Sequence, residues 1–309
     1  MKIVSYKNVV PALNKSYEKE TLLALFVNGV KAAGDTAYLY EGYQPQQCDV
    51  AVIQGWQHDK GKTAKHLQLR QNVIDHQLQN NRYVVTADSN LFLYANKTNQ
   101  PHHYLRYSFN GVFPTTGIYC DTNPDPKRWN KISKDLNIQL NDSKTKGMNI
   151  VLCCQRNGGW SMGGYSVVDW IENTVRKIRK YSDRKIIIRG HPGDKRVREY
   201  MSSPKIISLP NVKISVNVPL ENDLHKAWAV VNHNSSSIVG PVIQGYHAFI
   251  TDPINSQCKE VAHTDFSKIE NPDLFDRQKW LERISMFHWN FDEISNGDCW
   301  RHMRQYVSS

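Results

Sequence analysis

The chain has 309 residues, 40% of them hydrophobic, and carries 39 Lys and Arg against 29 Asp and Glu for a formal charge of +10. That length exceeds what one hydrophobic core usually serves, so two domains are expected, and no stretch reaches the ~20 apolar residues that span a bilayer, which argues against a membrane protein. The six cysteines, Cys48, Cys120, Cys153, Cys154, Cys258 and Cys299, contain no CxxC pair and no regular spacing, which disfavours a zinc site and a disulfide scaffold and points to a reducing cytoplasm.

Residues 2–10 read as a first strand, since the opening MKIVSYKNVV has too short an apolar run for a secretory leader. Residues 17–33 set Leu22, Leu25, Phe26 and Val30 at helical spacing, and residues 48–53 read as a buried strand. The loop from Gly55 to Thr63, GWQHDKGKT, has the context of a P-loop but not its spacing, because five residues rather than four separate Gly55 from Gly61-Lys62-Thr63. As a strand-to-helix turn it can still set Gly55 and Lys62 beside an anionic ligand. Residues 63–80 form an amphipathic helix and residues 82–87 a strand. Asp88 follows directly, where an acid at the carboxyl edge of a parallel strand faces the ligand crevice; an N-cap is its other reading. Alternation of this kind marks a parallel sheet covered by helices. Residues 94–126, rich in Asn, His, Pro, Gly and aromatics, read as long loops on a working face. Residues 121–147 read as the junction between a domain of residues 1–146 and one of residues 147–309, with C-terminal helices able to cross back.

The pattern then restarts with a strand at 149–154. The Gly-rich loop Gln155 to Gly164, QRNGGWSMGG, allows close approach of backbone to ligand but lacks a GxGxxG fingerprint. Arg156, with Asn157, Gly158 and Gly159, is the expected phosphate contact there. A helix at 166–181 buries Val167, Val168, Ile171, Val175 and Ile178 and exposes Arg176, Lys177, Arg179 and Lys180. Strands are expected at 185–189, 212–215, 229–232 and 247–251, and helices at 195–201, 220–228, 276–286 and 293–306.

Two strand ends carry the chemistry. IIIRGHP ends in Arg189, Gly190, His191 and Pro192, a cation and an imidazole on a flexible backbone. VVNHNSSS ends in Asn234, Ser235, Ser236 and Ser237 ahead of a helical stretch, where free N–H groups and the helix dipole favour an anion. Singly these are a strand end with a turn and an ordinary Ser N-cap; together, one strand–helix unit apart, they read as a nucleotide-diphosphate site. The basic residues recur through 60–70, 127–146, 176–185 and 195–198, a distributed surface that suits a polyanion or merely a soluble basic protein.

The HP pair after a strand, the later Asn234-Ser235-Ser236, and Gly245 before a short strand resemble the C-terminal domain of GT-B glycosyltransferases. In the bacterial sialyl- and Kdo-type members the His of HP and the Ser of the Ser-rich motif hold the nucleotide phosphate. The MKI strand and VVTADSNLF resemble bacteriophage DNA glucosyltransferases, whose base is an Asp at the place of Asp88, and QRNGGWSM and RGHPGDK resemble segments of uncharacterised proteins of large tailed phages. The resemblance implies an α/β GT-B fold of two Rossmann-like domains with parallel sheets and a ligand cleft between them. It also implies transfer of a sugar from a UDP-type nucleotide diphosphate sugar to 5-hydroxymethylcytosine in double-stranded DNA, without metal or cofactor, in the host cytoplasm if the source is viral. Asp88 would be the base, Arg156, Arg189 and His191 would stabilise the diphosphate, and Ser235, Ser236 or Ser237 would bind its oxygens. Lys60 and Lys62 would contact DNA, and Arg106, Tyr107 and Phe109 would fill the gap left by a flipped base. The chain departs from the pattern at Pro241, where the phosphate-binding helix should continue, and it lacks a DxD metal motif. A transferase acting on surface polysaccharide and a non-catalytic DNA-binding protein are the alternatives.

Overall fold

The computed structural model describes residues 1–10, 17–57, 61–94 and 103–307. It divides into unit 1, residues 1–90, 98–136 and 282–309, and unit 2, residues 91–97 and 137–281. The main boundary, between Leu136 and Asn137, thus falls inside the expected junction of residues 121–147, ten residues before the expected domain limit at 146, and the C-terminal segment returns to unit 1. In chain order unit 1 contributes β1 (Lys2–Tyr6), α1 (Tyr17–Ala32), β2 (Thr36–Tyr40), β3 (Val50–Gln54), α2 (Lys65–Gln79), β4 (Tyr83–Asp88), β5 (Leu105–Phe109) and α3 (Pro126–Asp135). Unit 2 follows with β6 (Asn149–Cys153), α4 (Val167–Arg179), β7 (Lys185–Arg189), α5 (Val197–Met201), α6 (Pro204–Ile207) and β8 (Val212–Ser215). It continues with α7 (Leu220–Leu224), β9 (Ala227–Asn232), α8 (Val239–Ile243) and β10 (His247–Ile250). The chain re-enters unit 1 within α9 (Arg277–Ser285) and adds β11 (His288–Trp289), α10 (Phe291–Ser295) and α11 (Asp298–Met303).

The unit 1 sheet runs β11-β5-β4-β3-β1-β2. Its β2, β1, β3 and β4 are parallel, and β5 lies antiparallel to both β4 and β11. The apolar run Val50, Ala51, Val52, Ile53 is fully buried because helices cover the sheet, which is why parallel strands read as continuous rather than alternating hydrophobics. Leu22, Leu23, Phe26 and Val30 of α1 are buried in this core; Leu25, expected on the same stripe, packs at its margin. The returning segment is held in place by polar as well as apolar bonds. Trp300 Nε1 donates to Asp35 at 2.8 Å, and Arg128 of α3 pairs with Glu293 at 2.5 Å while lying over the Trp289 ring.

The unit 2 sheet runs β10-β9-β6-β7-β8 with every pairing parallel. This is a Rossmann-like order, and its direction reverses between β6 and β9, the switch point at which such sheets leave a crevice outside the strand carboxyl ends. All six residues of β9 are buried. On α4, Ser166 caps the first turn and Val167, Trp170, Ile171, Thr174, Val175 and Ile178 form the buried stripe. Val168 lies at its edge, and Arg179 is half-buried, its guanidinium tying down the carbonyls of Ser182, Arg184, Pro210 and Asn211.

Several elements depart from expectation. Residues 105–109 and 126–135 are β5 and α3, not loop and junction. The helix expected at 220–228 stops at Leu224, and Trp228 lies in β9, where its indole donates to Ile269 O at 2.6 Å. The expected C-terminal helix is broken at Gly297, at φ +91°, where any Cβ would press on the Gly29 carbonyl.

Candidate functional site

The site is built at the carboxyl edge of the unit 2 sheet. At the switch point Gln155, just past β6, donates through Nε2 to Asn234 Oδ1 at 2.5 Å and to Ser161 Oγ at 3.1 Å. Asn234, just past β9, donates to Asp252 Oδ2 at 2.8 Å and to Ser161 O at 3.1 Å. One amide pair thus ties together the exits of β6, β9 and β10. Burial opposes ionisation of Asp252, but the amide donors of Asn255 and Asn234 outweigh it and hold the carboxyl below its usual range. Beside it Trp170 Nε1 donates to Thr251 Oγ1 at 2.8 Å, and the same hydroxyl meets His233 Nδ1 at 2.7 Å. A buried polar network satisfied in this way is stiff, and it sets the two strand-end loops in fixed relation.

The next exit, that of β7, carries the expected HP residues. Gly190 is required sterically: a Cβ there would overlap the Val197 side chain of α5. Arg189, expected as a phosphate contact, is ion-paired here. Its Nη1 pairs with Asp223 at 2.7 Å and donates to Val218 O at 2.5 Å, and Asp223 is buried and also accepts from Ser215 Oγ. Its charge is therefore balanced within the loop wall. Arg156, by contrast, is exposed and makes no ion pair among the described residues. It lies close to the HP loop, since a Cβ on Gly193 would come within 2.8 Å of its Nη2.

His191 Nδ1 accepts the Gly193 N–H at 3.0 Å, so the neutral ring carries its proton on Nε2. Burial, reinforced by Arg156 and opposed by Asp194, pushes its pKa below the ordinary histidine value. Asp194 joins the two loops: its Oδ2 accepts Asn157 N at 2.7 Å and its Oδ1 accepts Arg196 N at 3.0 Å. Gly158, at φ +68°, supplies the left-handed turn that the loop needs, and Gly159 closes it by donating its N–H to Arg156 O at 3.0 Å.

The three serines separate by role. Ser235 Oγ accepts from Ser237 N at 3.2 Å and caps a 3-10 turn over Ser236–Ile238, which leaves the Ser236 and Ser237 hydroxyls, half-buried, without a capping bond. α8 starts only at Val239, so Pro241 falls in its first turn, where a missing N–H costs nothing.

In unit 1, Asp88 ends β4 as expected, but it is ion-paired. Arg106, its register partner on β5, reaches Oδ2 at 2.5 Å, and Ser89 N donates to Oδ1 at 2.7 Å. The reading of Arg106, Tyr107 and Phe109 as loop residues is corrected: all three are in β5, and Tyr107 and Phe109 are 1% and 0% exposed. Side chains so buried cannot enter a duplex. Lys62 is exposed, and Lys60 lies outside the described residues.

Gln155, Asp194, Asp252 and His233 were not singled out by sequence reasoning, and Arg70, which enters below, was marked only as part of the basic stretch 60–70. Asp252 carried the same signal as Asp88, an acid just after a buried strand, and Asp194 stands within the quoted RGHPGDK. Among the described residues no group of three or more His, Cys, Asp or Glu side chains is gathered as a metal ion would need, and no helix is long and apolar enough to cross a membrane.

No protein-family model matches the chain, and no curated protein matches it. Among solved structures it is similar to the KpsC beta Kdo 2,4 transferase of Thermosulfurimonas dismutans, with TM-score 0.52 and 9% identity over 94% of this chain and 92% of that one. The KpsC beta Kdo 2,7 transferase of the same organism, 10% identical over 96% of this chain and 99% of that one, has a TM-score of 0.49, too low to carry an argument. The first likeness and the two parallel-rich sheets define the fold as that of GT-B glycosyltransferases.

Proposed function

We propose that the chain is a glycosyltransferase that takes its sugar from a nucleotide phosphate sugar bound at the carboxyl edge of the unit 2 sheet. The observation that carries this reading is the switch-point arrangement: Gln155 and Asn234 fix the exits of β6 and β9, while Arg156, with no ion pair among the described residues, and the Nε2–H of His191 stand at the neighbouring loops. Preorganised donors of this kind stabilise the charge that grows on a departing phosphate. UDP is the nucleotide proposed, and no metal takes part. The acceptor hydroxyl loses its proton to Asp88, its oxygen forms the new bond to the anomeric carbon, and the bond from that carbon to the phosphate oxygen breaks. Arg156, His191 and the Ser236 and Ser237 hydroxyls receive the departing charge. Asp88 can do this although ion-paired, because each carboxylate oxygen retains a lone pair, and Arg106 then orients the base.

The finer proposal for the acceptor is 5-hydroxymethylcytosine in double-stranded DNA, supported by the net charge of +10 and the distributed Lys and Arg. The burial of Tyr107 and Phe109 favours a second reading, an acidic surface glycan, since it removes the side chains offered for base flipping. Incubation with labelled UDP-sugars and a panel of hydroxymethylated duplex, acidic glycan and neutral glycan decides between them. Asp88→Asn should lower transfer by ~10²–10⁴ with UDP affinity nearly unchanged; retained turnover would remove Asp88 as the base, and no transfer from any donor would sink the enzyme reading.

A further inference from the structure

Arg70 on α2 lies at the carboxyl edge of the unit 1 sheet, and no ion pair among the described residues answers its charge. Its Nη2 donates to Val9 O at 2.9 Å, its Nε is buried without a hydrogen-bond partner, and it makes no ion pair among the described residues. Burial lowers its pKa to about 10, with Asp88 the carboxylate that opposes the shift, yet both oxygens of Asp88 are bonded elsewhere, to Arg106 and to Ser89 N. The guanidinium also lies against Gly55, where the chain leaves β3 at φ +72°; a Cβ there would stand 3.1 Å from Nη1. Gly55 therefore serves two ends, a left-handed turn and room for the cation. His66 lies one turn before Arg70 on the same helix face, and burial together with Arg70 keeps its pKa below the ordinary value, so it stands as a neutral N–H donor.

A guanidinium held from one side by a carbonyl, partly desolvated and with no ion-pair partner among the described residues, is costly unless an anion completes it. We propose that Arg70 binds an oxoanion, a carboxylate or phosphate group, and that this group belongs to the acceptor, so that the protein selects acceptors with a negative charge near the reacting hydroxyl. Assigning the anion to the acceptor rests on the transferase reading, whereas the anion site rests on unit 1 alone.

Calorimetric titration of the full chain with inorganic phosphate tests this, in an Arg156→Ala/His191→Ala/Ser236→Ala/Ser237→Ala background that removes the other proposed phosphate contacts. Phosphate should still bind there. Arg70→Gln should weaken it at least tenfold, and Asp88→Asn, which removes the carboxylate competing for the charge, should tighten it several-fold, an opposite sign that misfolding does not produce. Glucuronate titrated alongside distinguishes the source, the tighter ligand marking a carboxylate or a phosphate acceptor. No phosphate binding in the background protein, equal binding by the Arg70→Gln protein, or no tightening by Asp88→Asn would each overturn the proposal. UDP binding by the unaltered chain is read separately: its absence would remove the transferase reading and leave the anion site standing.

Discussion

His191 shows what a single side chain adds once its neighbours are known. The RGHP motif marks the residue in the sequence, but not the Gly193 N–H that occupies Nδ1 and leaves Nε2 as the donor. Nor does it show that burial and Arg156 keep the ring neutral in the free protein. A bound phosphate dianion favours the imidazolium, so the bound-state pKa lies above the free-state one and binding takes up a proton. UDP affinity should therefore rise as pH falls through the bound-state pKa and level off below the free-state value. Titrations from pH 8 to pH 5 check this, and His191→Gln should flatten the slope; an unchanged slope would place the titrating group elsewhere. The pairing of Arg189 with Asp223 was hidden for the same reason, since the partners are 34 positions apart in the chain.

At the level of elements, the strongly periodic pieces were legible: α1, α2, α4 and the buried runs of β3, β6, β7 and β9 lie within a few residues of where their spacing puts them. α3 was missed although its start was written in the chain. Asp125 caps Lys127 N at 2.9 Å and Pro126 occupies the first helical position, yet both lie in the stretch 121–147 that reads as a junction. β5 and β11 were missed because their pairing is set by tertiary contact, β11 being only His288 and Trp289. The β7 exit offers a direct test of element packing. Gly190→Ala should destabilise the protein by ~1–3 kcal/mol through overpacking and weaken UDP, and Val197→Ala in the same chain should restore much of both. Thermal melts and UDP titrations check it; a Gly190→Ala protein as stable as the parent would mean that the β7–α5 approach is looser than described.

For the whole molecule, length and alternation foretold two α/β units, but not that unit 1 reclaims residues 282–309 or that residues 91–97 belong to unit 2. Such exchanges are long-range packing events with no local signature. Net charge suits an anionic partner without requiring one or saying which, because +10 spread over a surface is neither a groove nor a base-reading element. The account stands on unit 2 being a nucleotide-phosphate site, and calorimetric titration of the chain with UDP in the presence of a chelator measures that directly. One UDP should bind per chain without divalent metal, with Arg156→Ala/His191→Ala weakening it at least tenfold, about 1.4 kcal/mol. Absence of UDP binding, loss of it on chelation, or equal affinity in the double variant would contradict the account.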